Sequence, residues 1–315
     1  MKTTFSHIGL AKLCGWFGIT RQAYYNHSWK AFEIVNKHHI IIDRVKEIRE
    51  NHPRLGTRKL FDMLQPFFKE HQIKMGRDAL FNVLYINHLL VRKRKRKIRT
   101  TNSYHRFKKY PNLIRAFIPT AINQLWVSDI TYWKIGEKHL YISFITDTYS
   151  HKIVGYYVAK TLETDESIQA LKMALGSLKT PPTHLIHHSD RGIQYCSNSY
   201  VKLLQDYNVK ISMTENGDPL ENAIAERING IIKNEYLHNY QVNSLKEAKE
   251  LLEAVVDLYN NERPHMSISN LTPNEVHLSI EKLKLNKLWK NYYKKNNSFV
   301  KQEQDVNLTV NLLQD

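Results

Sequence analysis

The chain has 315 residues, of which 46 are lysine or arginine and 30 are aspartate or glutamate, giving a formal net charge of +16. Hydrophobic residues make up 42% of it, which excludes a chain that is disordered by composition and is enough for about two domains. The positive charge favours a polyanionic partner. No apolar run approaches the ~20 residues needed to cross a bilayer, so we expect a cytoplasmic protein that binds nucleic acid rather than a membrane.

Cysteine and histidine usage argues against a zinc site. The two cysteines, Cys14 and Cys196, form no Cys-x-x-Cys pair and are too few for a disulfide framework. The His-His pairs at 38–39 and 187–188 have no thiol partners at metal-binding spacing. Structural zinc is therefore not expected.

Residues 1–90 have the apolar spacing of helices and are interpreted as a DNA-binding region with two helix-turn-helix-like units, about 8–30 and 40–90. In the first unit, a helix is followed by a turn that ends in the capping hydroxyl of Thr20, and a second helix then opens at Arg21. The second helix would present three side chains to DNA: Arg21, Gln22 and Tyr24. The alternative interpretation is an ordinary helical hairpin.

The second unit is predicted to contain three helices. Residues 40–49 are amphipathic, and the segment 52–56, with its proline and glycine, ends that helix. Thr57 is expected to cap the next helix, which covers 58–64, and a third helix covers 76–84.

Residues 91–109 contain ten lysines and arginines and no acid. Such a charge run is usually a solvated face or tail, but its density favours a linker that neutralises phosphates. We interpret 91–115 as this linker, with a domain boundary near Pro111, in which Tyr104 and Phe107 could stack on bases. The DNA contacts expected in it are Arg92, Lys93, Arg94, Lys95, Arg96 and Lys97.

From residue 123 the hydrophobic pattern changes to that of strands. Three strands rich in Ile, Val, Tyr and Trp are joined by hairpin-length connections, and alternating helices and two more strands follow. This order predicts an α/β domain over 116–280, with a mixed five-stranded sheet, the first strand in its centre and helices on both faces. Residues 281–315 form a C-terminal extension to which the sequence assigns no role.

Three acids are expected at one edge of this sheet. Asp129 lies on the first strand, Asp190 ends the fourth, and Glu226 lies on the helix after the fifth, with 60 and 35 residues between them. Three bare carboxylates repel one another unless a cation neutralises them. Mg²⁺ prefers such oxygen ligands, and two ions ~3.5–4 Å apart would serve phosphoryl transfer. The sequence therefore predicts a metal site on these three residues.

Other polar residues nearby have competing interpretations. Asp147 ends the second strand and is predicted to cap a turn. His187 and His188 alternate across the fourth strand, so at most one of them faces the site. Both histidines, with Asn222, are candidates for the wall of the site. Loop acids are usually solvated, and three of them precede Glu226: Glu215, Asp218 and Glu221.

The blocks WVSDITY, HHSDRGIQY and ENAIAERINGIIKNE resemble, in order, the three catalytic blocks of the DDE transposases of insertion sequences, in the retroviral-integrase superfamily. The resemblance is specifically to the protein of the second reading frame in two-frame elements. The later block YNNERPHMSISNLTPNEV resembles the closing block of the same family, so that the resemblance covers about residues 8–280. The chain departs from the family at Glu221, where aspartate is usual, and at Arg227, where serine is frequent.

This resemblance implies a ribonuclease-H-like fold in which Asp129, Asp190 and Glu226 are catalytic metal ligands, with Mg²⁺ as the cofactor and Mn²⁺ as a substitute. It implies that Lys233 contacts a DNA phosphate near the site. The implied partners are double-stranded DNA at the element ends and the target, a second copy on DNA, and a helix-turn-helix and zipper protein from the upstream frame. The implied location is the bacterial nucleoid.

The resemblance also implies a reaction in two steps. Water attack frees a 3′-hydroxyl at the element end, and this hydroxyl then attacks a second phosphodiester without a covalent protein–DNA intermediate. Asp129 would bridge two Mg²⁺ ions, and Asp190 and Glu226 would each complete one. The alternatives are a nuclease of the same fold that only hydrolyses and an inactive DNA-binding regulator.

Overall fold

The computed structural model describes most of the chain, in the ranges 6–92, 106–115, 117–136, 138–215 and 222–279. The chain divides into two compact units. The first runs through Asn51 and resumes from Leu55 to Val91, and the second comprises His52–Arg54 and the chain from Arg92 onward. Several predicted features lie outside the described residues: Lys93, Arg94, Lys95, Arg96, Lys97, Tyr104, Asp218, Glu221 and the extension 281–315.

The first unit is helical, as predicted. Its helices are α1 (Leu10–Trp16), α2 (Arg21–Asn51), α3 (Thr57–Met63), α4 (Gln65–Glu70) and α5 (Arg77–Ile86). The core forms on the C-terminal half of α2, where Ile41, Val45 and Ile48 pack with Leu60 of α3 and Leu80 of α5. Removing these aliphatic side chains from water is the main source of stability for a unit of this size.

One continuous helix, α2, runs through residues 31–39, which lie between the two expected units at 8–30 and 40–90. α2 has 31 residues and passes through this boundary without a break. The physical reason is that residues 31–39 contain neither proline nor glycine, so nothing in the backbone ends the helix there.

Of the two predicted helix caps in this unit, one is confirmed. Thr20 Oγ1 accepts a hydrogen bond from Ala23 N at 3.0 Å, which caps the start of α2. The predicted cap at Thr57 is wrong, because Thr57 is itself the first residue of α3 and is buried. Gly56 takes the N-cap position without a side-chain bond.

The second unit is built on one mixed sheet. Its strands are β1 (Leu125–Ile135), β2 (Lys138–Asp147), β3 (Ile153–Ala159), β4 (Ile186–Ser189) and β5 (Lys210–Met213). Their order is β3-β2-β1-β4-β5. β2 pairs with β1 and β3 antiparallel, whereas β4 pairs with β1 and β5 parallel. The predicted five-stranded sheet with the first strand in its centre is therefore confirmed.

Helices cover both faces of the sheet, as predicted. They are α6 (Thr164–Gly176), α7 (Ile193–Cys196), α8 (Asn198–Asp206), α9 (Ala223–Ile231), α10 (Leu245–Asn261) and α11 (Pro273–Leu278). α6 and α8 bury Leu171 and Tyr200 against Trp126 of β1. α9 and α10 bury Ile228 and Leu252 against the apolar side of β2. Over the described part of the chain, every helix is too short or too polar to span a membrane.

The segment 106–115, which belongs to the second unit, lies against the sheet. Pro111 O accepts a hydrogen bond from Met213 N of β5 at 3.3 Å. Phe107 is partly buried against the core that α6 and α8 cover. The ring is only partly buried, and its stacking on bases stays a prediction.

Candidate active site

Parallel pairing of β1 with β4 brings two of the three predicted acids side by side. Val127 of β1 pairs with His188 of β4. Asp129 lies two residues after Val127, and Asp190 lies two residues after His188. Because the strands are parallel and side chains alternate between the two sides of a sheet, the two aspartates lie next to each other on the same side. Asp190 is the first residue after β4 ends. The two carboxylates therefore share the sheet edge that the sequence predicts.

Backbone and side-chain amides hold both aspartates. Asp129 is 7% exposed, its Oδ1 accepts a hydrogen bond from Ile130 N at 3.0 Å, and its Oδ2 accepts one from Asn229 Nδ2 at 2.7 Å. Asp190 is partly exposed, and its Oδ1 accepts a bond from Gly192 N at 3.0 Å. Hydrogen bonds to a carboxylate are stronger than those between neutral groups, so both side chains have a fixed orientation.

Two asparagines attach α9 to the same part of β1. Asn222, which precedes the helix, donates from Nδ2 to Ser128 O at 2.9 Å, and Asn229 bonds to Asp129. Glu226 lies four residues after Asn222 and three before Asn229, on the same helical face. The face that carries Glu226 therefore contacts β1 at both of its ends. Asn229 was not among the predicted site residues, and its sequence signal is its spacing of three from Glu226 on a predicted helix.

The three carboxylates do not form a closed cluster in this conformation. Among the residues that the structure describes, no three side chains of histidine, cysteine, aspartate or glutamate are close enough together to hold a metal ion. Glu226 lies exposed in the first turn of α9. Three carboxylates come together only where a cation offsets their mutual repulsion.

The ligand chemistry of this corner fits Mg²⁺. All three predicted ligands offer carboxylate oxygens, which are the donors that Mg²⁺ prefers. The side-chain oxygens of Asn222 and Asn229 are also buried here and accept no hydrogen bond from the described residues, although buried polar atoms generally have a partner. The water shell of a cation held by the carboxylates would supply such partners.

His187 and His188 are buried within the sheet. His187 Nε2 lies 2.6 Å from Ser128 Oγ and 3.0 Å from Tyr200 Oη, and His188 Nδ1 lies 2.8 Å from Ser212 Oγ. Burial lowers the pKa of His187 to about 3, so this ring is neutral at physiological pH. Both histidines link neighbouring elements and thereby support β4, which Asp190 follows, and His187 also links β4 to Ser128 of β1, next to Asp129.

α9 continues into a π-helical turn, Ile232–Tyr236, which contains the half-buried Lys233. Such turns are rare and frequently lie at functional sites. The guanidinium of Arg263, only 1% exposed, donates to both carboxylate oxygens of Glu235 in this turn, at 2.8 Å each. This ion pair could not be predicted from the sequence, because 28 positions separate its two residues.

The predicted DNA contacts within the described residues are accessible to different degrees. Arg21 and Gln22 are exposed at the start of α2, and Tyr24 is half-buried there. Arg92 is exposed at the end of its described segment. Contact of these four side chains with DNA stays a prediction.

The rival acids in the described part of the chain have structural partners. Asp147 is fully buried, and its Oδ1 accepts bonds from Ser150 N and Oγ at 2.8 and 2.7 Å, while Asn123 N donates to Oδ2 at 2.8 Å. The predicted turn cap at Asp147 is therefore confirmed, and burial raises the pKa of this carboxyl group. Glu215 pairs with Arg115 in the segment beside β5.

Two family models match this region, both described as an integrase core domain, one over residues 119–219 and the other over 207–273. The chain is 38% identical over 270 residues to the uncharacterized 31 kDa protein of insertion element IS600 from Shigella sonnei, covering 83% of this chain and 96% of that protein. It is 31% identical over 226 residues to the transposase for insertion sequence element IS629 from the same organism, covering 72% and 74%. A solved structure that resembles it is the HTLV-2 integrase catalytic core domain in complex with magnesium, at 22% identity and a TM-score of 0.40, covering 50% of this chain and 97% of that one.

Proposed function

The chain belongs to the insertion-sequence transposases of the integrase superfamily, and we propose that it cuts DNA at the ends of its element and joins those ends to a target. DNA transposition by polynucleotidyl transfer is the general activity of this family. The finer proposal is that the reaction depends on a divalent metal and uses Asp129, Asp190 and Glu226 as the metal ligands.

The attachment of α9 to β1 is the observation that supports this proposal most strongly. Asn222 donates a hydrogen bond to the Ser128 carbonyl of β1, and Asn229 donates one to the Asp129 carboxylate of β1. Glu226 lies between these two asparagines in the chain. A helix that only covered the sheet would bury apolar side chains there, and a buried amide hydrogen-bonded to a carboxylate would be an unusual choice. A glutamate between two such anchors, on a helix attached to the strand of Asp129, supports a metal-dependent phosphoryl transferase in which a cation draws the three carboxylates together.

The three carboxylates of Asp129, Asp190 and Glu226 would hold Mg²⁺, with Mn²⁺ as a substitute. When bound, two such ions activate the attacking oxygen and stabilise the leaving oxygen of a phosphodiester. The protein supplies the geometry: Asn229 keeps the Asp129 carboxylate turned towards the site, and Lys233 contacts a DNA phosphate beside it. No side chain of the protein forms a covalent bond with DNA.

The proposed partner is double-stranded DNA, at the element ends and at the target. The net charge of +16 supports it, since phosphate contacts by lysine and arginine supply most of the affinity of DNA-binding proteins. Joining two ends to one target requires at least two copies of the chain on the DNA. A helix-turn-helix and zipper protein encoded in the upstream frame is a further proposed partner.

A strand-transfer assay with the full chain tests the proposal. The substrate is a labelled duplex that carries the terminal repeat flanking the reading frame, incubated with a target plasmid and Mg²⁺. We expect Asp190→Asn to abolish joined products while the variant still binds the duplex. Glu215→Gln is the matched control, because Glu215 is an acid of the same unit whose carboxylate pairs with Arg115, and it should retain activity. Joined products from Asp190→Asn, or an equal loss of DNA binding, would contradict the proposal.

The same assay distinguishes the two alternative functions. Cleaved duplex that is never joined to the plasmid would indicate a nuclease that only hydrolyses. Binding that needs no metal and leads to no cleavage would indicate a DNA-binding regulator.

A further inference from the structure

One row of the sheet, directly before the two aspartates, carries buried polar side chains. Val127 of β1 pairs with His188 of β4, and His188 pairs with Ser212 of β5, so these three residues lie side by side. All three are buried, and His188 and Ser212 are 0% exposed. Strands that are covered on both faces usually carry aliphatic side chains, so a histidine and a serine in this row need a specific explanation.

The row lies next to the proposed metal site. Asp129 and Asp190 follow Val127 and His188 by two residues each, so both aspartates lie on the same side of the sheet as the His188 ring. Residues two apart along a strand are separated by about 6–7 Å, a gap that an imidazole ring and a carboxylate can bridge with a hydrogen bond. Asn229 of α9 bonds to Asp129 on this side. The His188 ring therefore lies where a donor could hold the Asp190 carboxylate, as Asn229 holds that of Asp129.

A bond from outside the five strands fixes the Ser212 hydroxyl group. Leu113 N donates to Ser212 Oγ at 2.9 Å, and Ser212 Oγ lies 2.8 Å from His188 Nδ1. The segment that carries Leu113 is itself held beside β5, because Met213 N donates to Pro111 O at 3.3 Å. A chain of hydrogen bonds thus leads from this segment to the ring beside Asp190.

These two contacts determine which nitrogen of His188 carries the hydrogen. A hydroxyl group has one hydrogen to donate and two lone pairs. The N–H of Leu113 occupies one lone pair of Ser212 Oγ, and His188 Nδ1 is the acceptor beside it for the hydroxyl hydrogen. A ring whose Nδ1 accepts a hydrogen bond carries its own hydrogen on Nε2. We therefore assign an N–H donor to Nε2, which is buried.

We propose that His188 is a positioning residue for Asp190, and that its Nε2–H donates to the Asp190 carboxylate when the three carboxylates gather around a cation. The inference rests on the proposed function, because it gives His188 a role at the same metal site. Hydrogen bonds from neighbouring groups orient metal ligands, and the loss of one weakens metal binding about 10- to 100-fold. Ser212 and Leu113 keep the donor on Nε2.

Two amide substitutions separate this role from a structural one. The amide nitrogen of glutamine is as many bonds from Cα as imidazole Nε2, whereas that of asparagine corresponds to Nδ1. His188→Gln therefore keeps a donor that reaches Asp190, and His188→Asn keeps only a group that reaches Ser212. If His188 did no more than join β4 to β5, His188→Asn would be the better substitute.

The measurement is Mn²⁺ binding by the full chain on a terminal-repeat duplex, followed by electron paramagnetic resonance. We expect the affinity to stay within about threefold of the wild type for His188→Gln and to fall about 10- to 100-fold for His188→Asn. A urea titration of each variant checks that it is folded. Retained affinity in His188→Asn, or equal losses in the two variants, overturns the proposal.

Ser212→Ala tests the part of the hydroxyl group. Without it, nothing on β5 selects the Nε2–H form of the ring, and we expect Mn²⁺ binding to weaken about 3- to 10-fold, the equivalent of one neutral hydrogen bond. Ser143→Ala is the matched control, because Ser143 is a buried serine of β2 whose Oγ lies 3.2 Å from Ser167 Oγ of α6. It should bind Mn²⁺ as the wild type does, and equal effects of the two changes would count against the proposal.

Nuclear magnetic resonance of the metal-free wild type tests the assignment of the hydrogen without any substitution at the site. The chain is labelled with ¹⁵N-histidine, and the ring signals of His188 are identified by their absence from the spectrum of His188→Gln. We expect a hydrogen on Nε2 and none on Nδ1. A hydrogen on Nδ1 overturns the proposal.

The role of His188 and the proposed metal site can fail separately. A wild type that binds no Mn²⁺ contradicts the metal site and the role of His188 with it. A wild type that binds Mn²⁺, while His188→Gln and His188→Asn bind it equally well, contradicts only the role of His188.

Discussion

Asn229 offers a sharp test of the site, because it is a buried neutral residue that acts through Asp129. Replacing it with alanine removes the hydrogen bond of 2.7 Å to Asp129 Oδ2. Since Asp129 is only 7% exposed, bulk water replaces that donor poorly. A hydrogen bond to a charged group contributes about 1.5–3 kcal/mol, which corresponds to a factor of roughly 10–150 in rate. Changes to residues that orient metal ligands cost a similar ~10–100-fold.

The assay is strand transfer at limiting and at saturating Mg²⁺. We expect Asn229→Ala to reduce the rate 10- to 100-fold at limiting Mg²⁺, with part of the loss recovered at saturating Mg²⁺, because a misoriented carboxylate binds the cation more weakly. Asn234→Ala is the control, since the amide of Asn234 is exposed and donates to Gly230 O, one turn earlier along the chain. Equal rates for Asn229→Ala and the wild type at every Mg²⁺ concentration would refute the reasoning.

Three further predictions concern the packing that supports the site. Arg263→Met removes a buried guanidinium from its ion pair and should lower the free energy of unfolding by about 2–4 kcal/mol in a urea titration. Arg44→Met breaks an exposed ion pair and should lower it by less than ~1 kcal/mol. Equal losses in the two variants would contradict the burial argument. Gly155→Ala would put a Cβ 2.2 Å from a carbonyl oxygen of α6 and should lower the free energy of unfolding by about 1–3 kcal/mol. Gly230→Ala, whose Cβ would meet nothing closer than 3.9 Å, should leave the thermal unfolding temperature unchanged or raise it. The pKa of His187 is about 3 in the folded chain and ~6.5 in the unfolded chain. Between these values the unfolded state binds more protons, so stability should fall by about 2 kcal/mol from pH 7.5 to pH 5, and an unaltered pH slope for His187→Gln would exclude His187 as its source.

The sheet could be predicted because its signals are local. β1 to β3 are rich in β-branched and aromatic residues, and the turn between β1 and β2 has Gly136 at a φ of +54°, a conformation that favours glycine. The positions of Asp129 inside β1 and of Asp190 directly after β4 followed from the same local signals, because both strands are visible in the sequence.

The contacts that complete the site could not be predicted, because they join distant parts of the chain. Asn229 and Asp129 are 100 positions apart, and Arg263 and Glu235 are 28 apart. A single sequence holds no information on which amide meets which carboxylate across such intervals. The π-helical turn could not be predicted either. It corresponds to one extra residue in an α-helix, and the residues before it have the same spacing whether or not that residue is present.

The length of the second helix in the N-terminal region could not be predicted from the motif at its start. A turn and a cap at Thr20 do resemble a helix-turn-helix, and that cap is present. The pattern does not determine how long the second helix continues, and α2 extends to Asn51 because no breaking residue interrupts it.

The central claim is that Asp129, Asp190 and Glu226 act as one metal site, and counting bound Mn²⁺ tests it most directly. The free Mn²⁺ signal in electron paramagnetic resonance gives the number of ions held by the full chain in complex with a terminal-repeat duplex. The account predicts that the wild type binds Mn²⁺ tightly, that Asp190→Asn and Glu226→Gln each lose this binding, and that Glu215→Gln retains it. Binding that is unchanged in Glu226→Gln would contradict the account, because α9 would then contribute no ligand to the site.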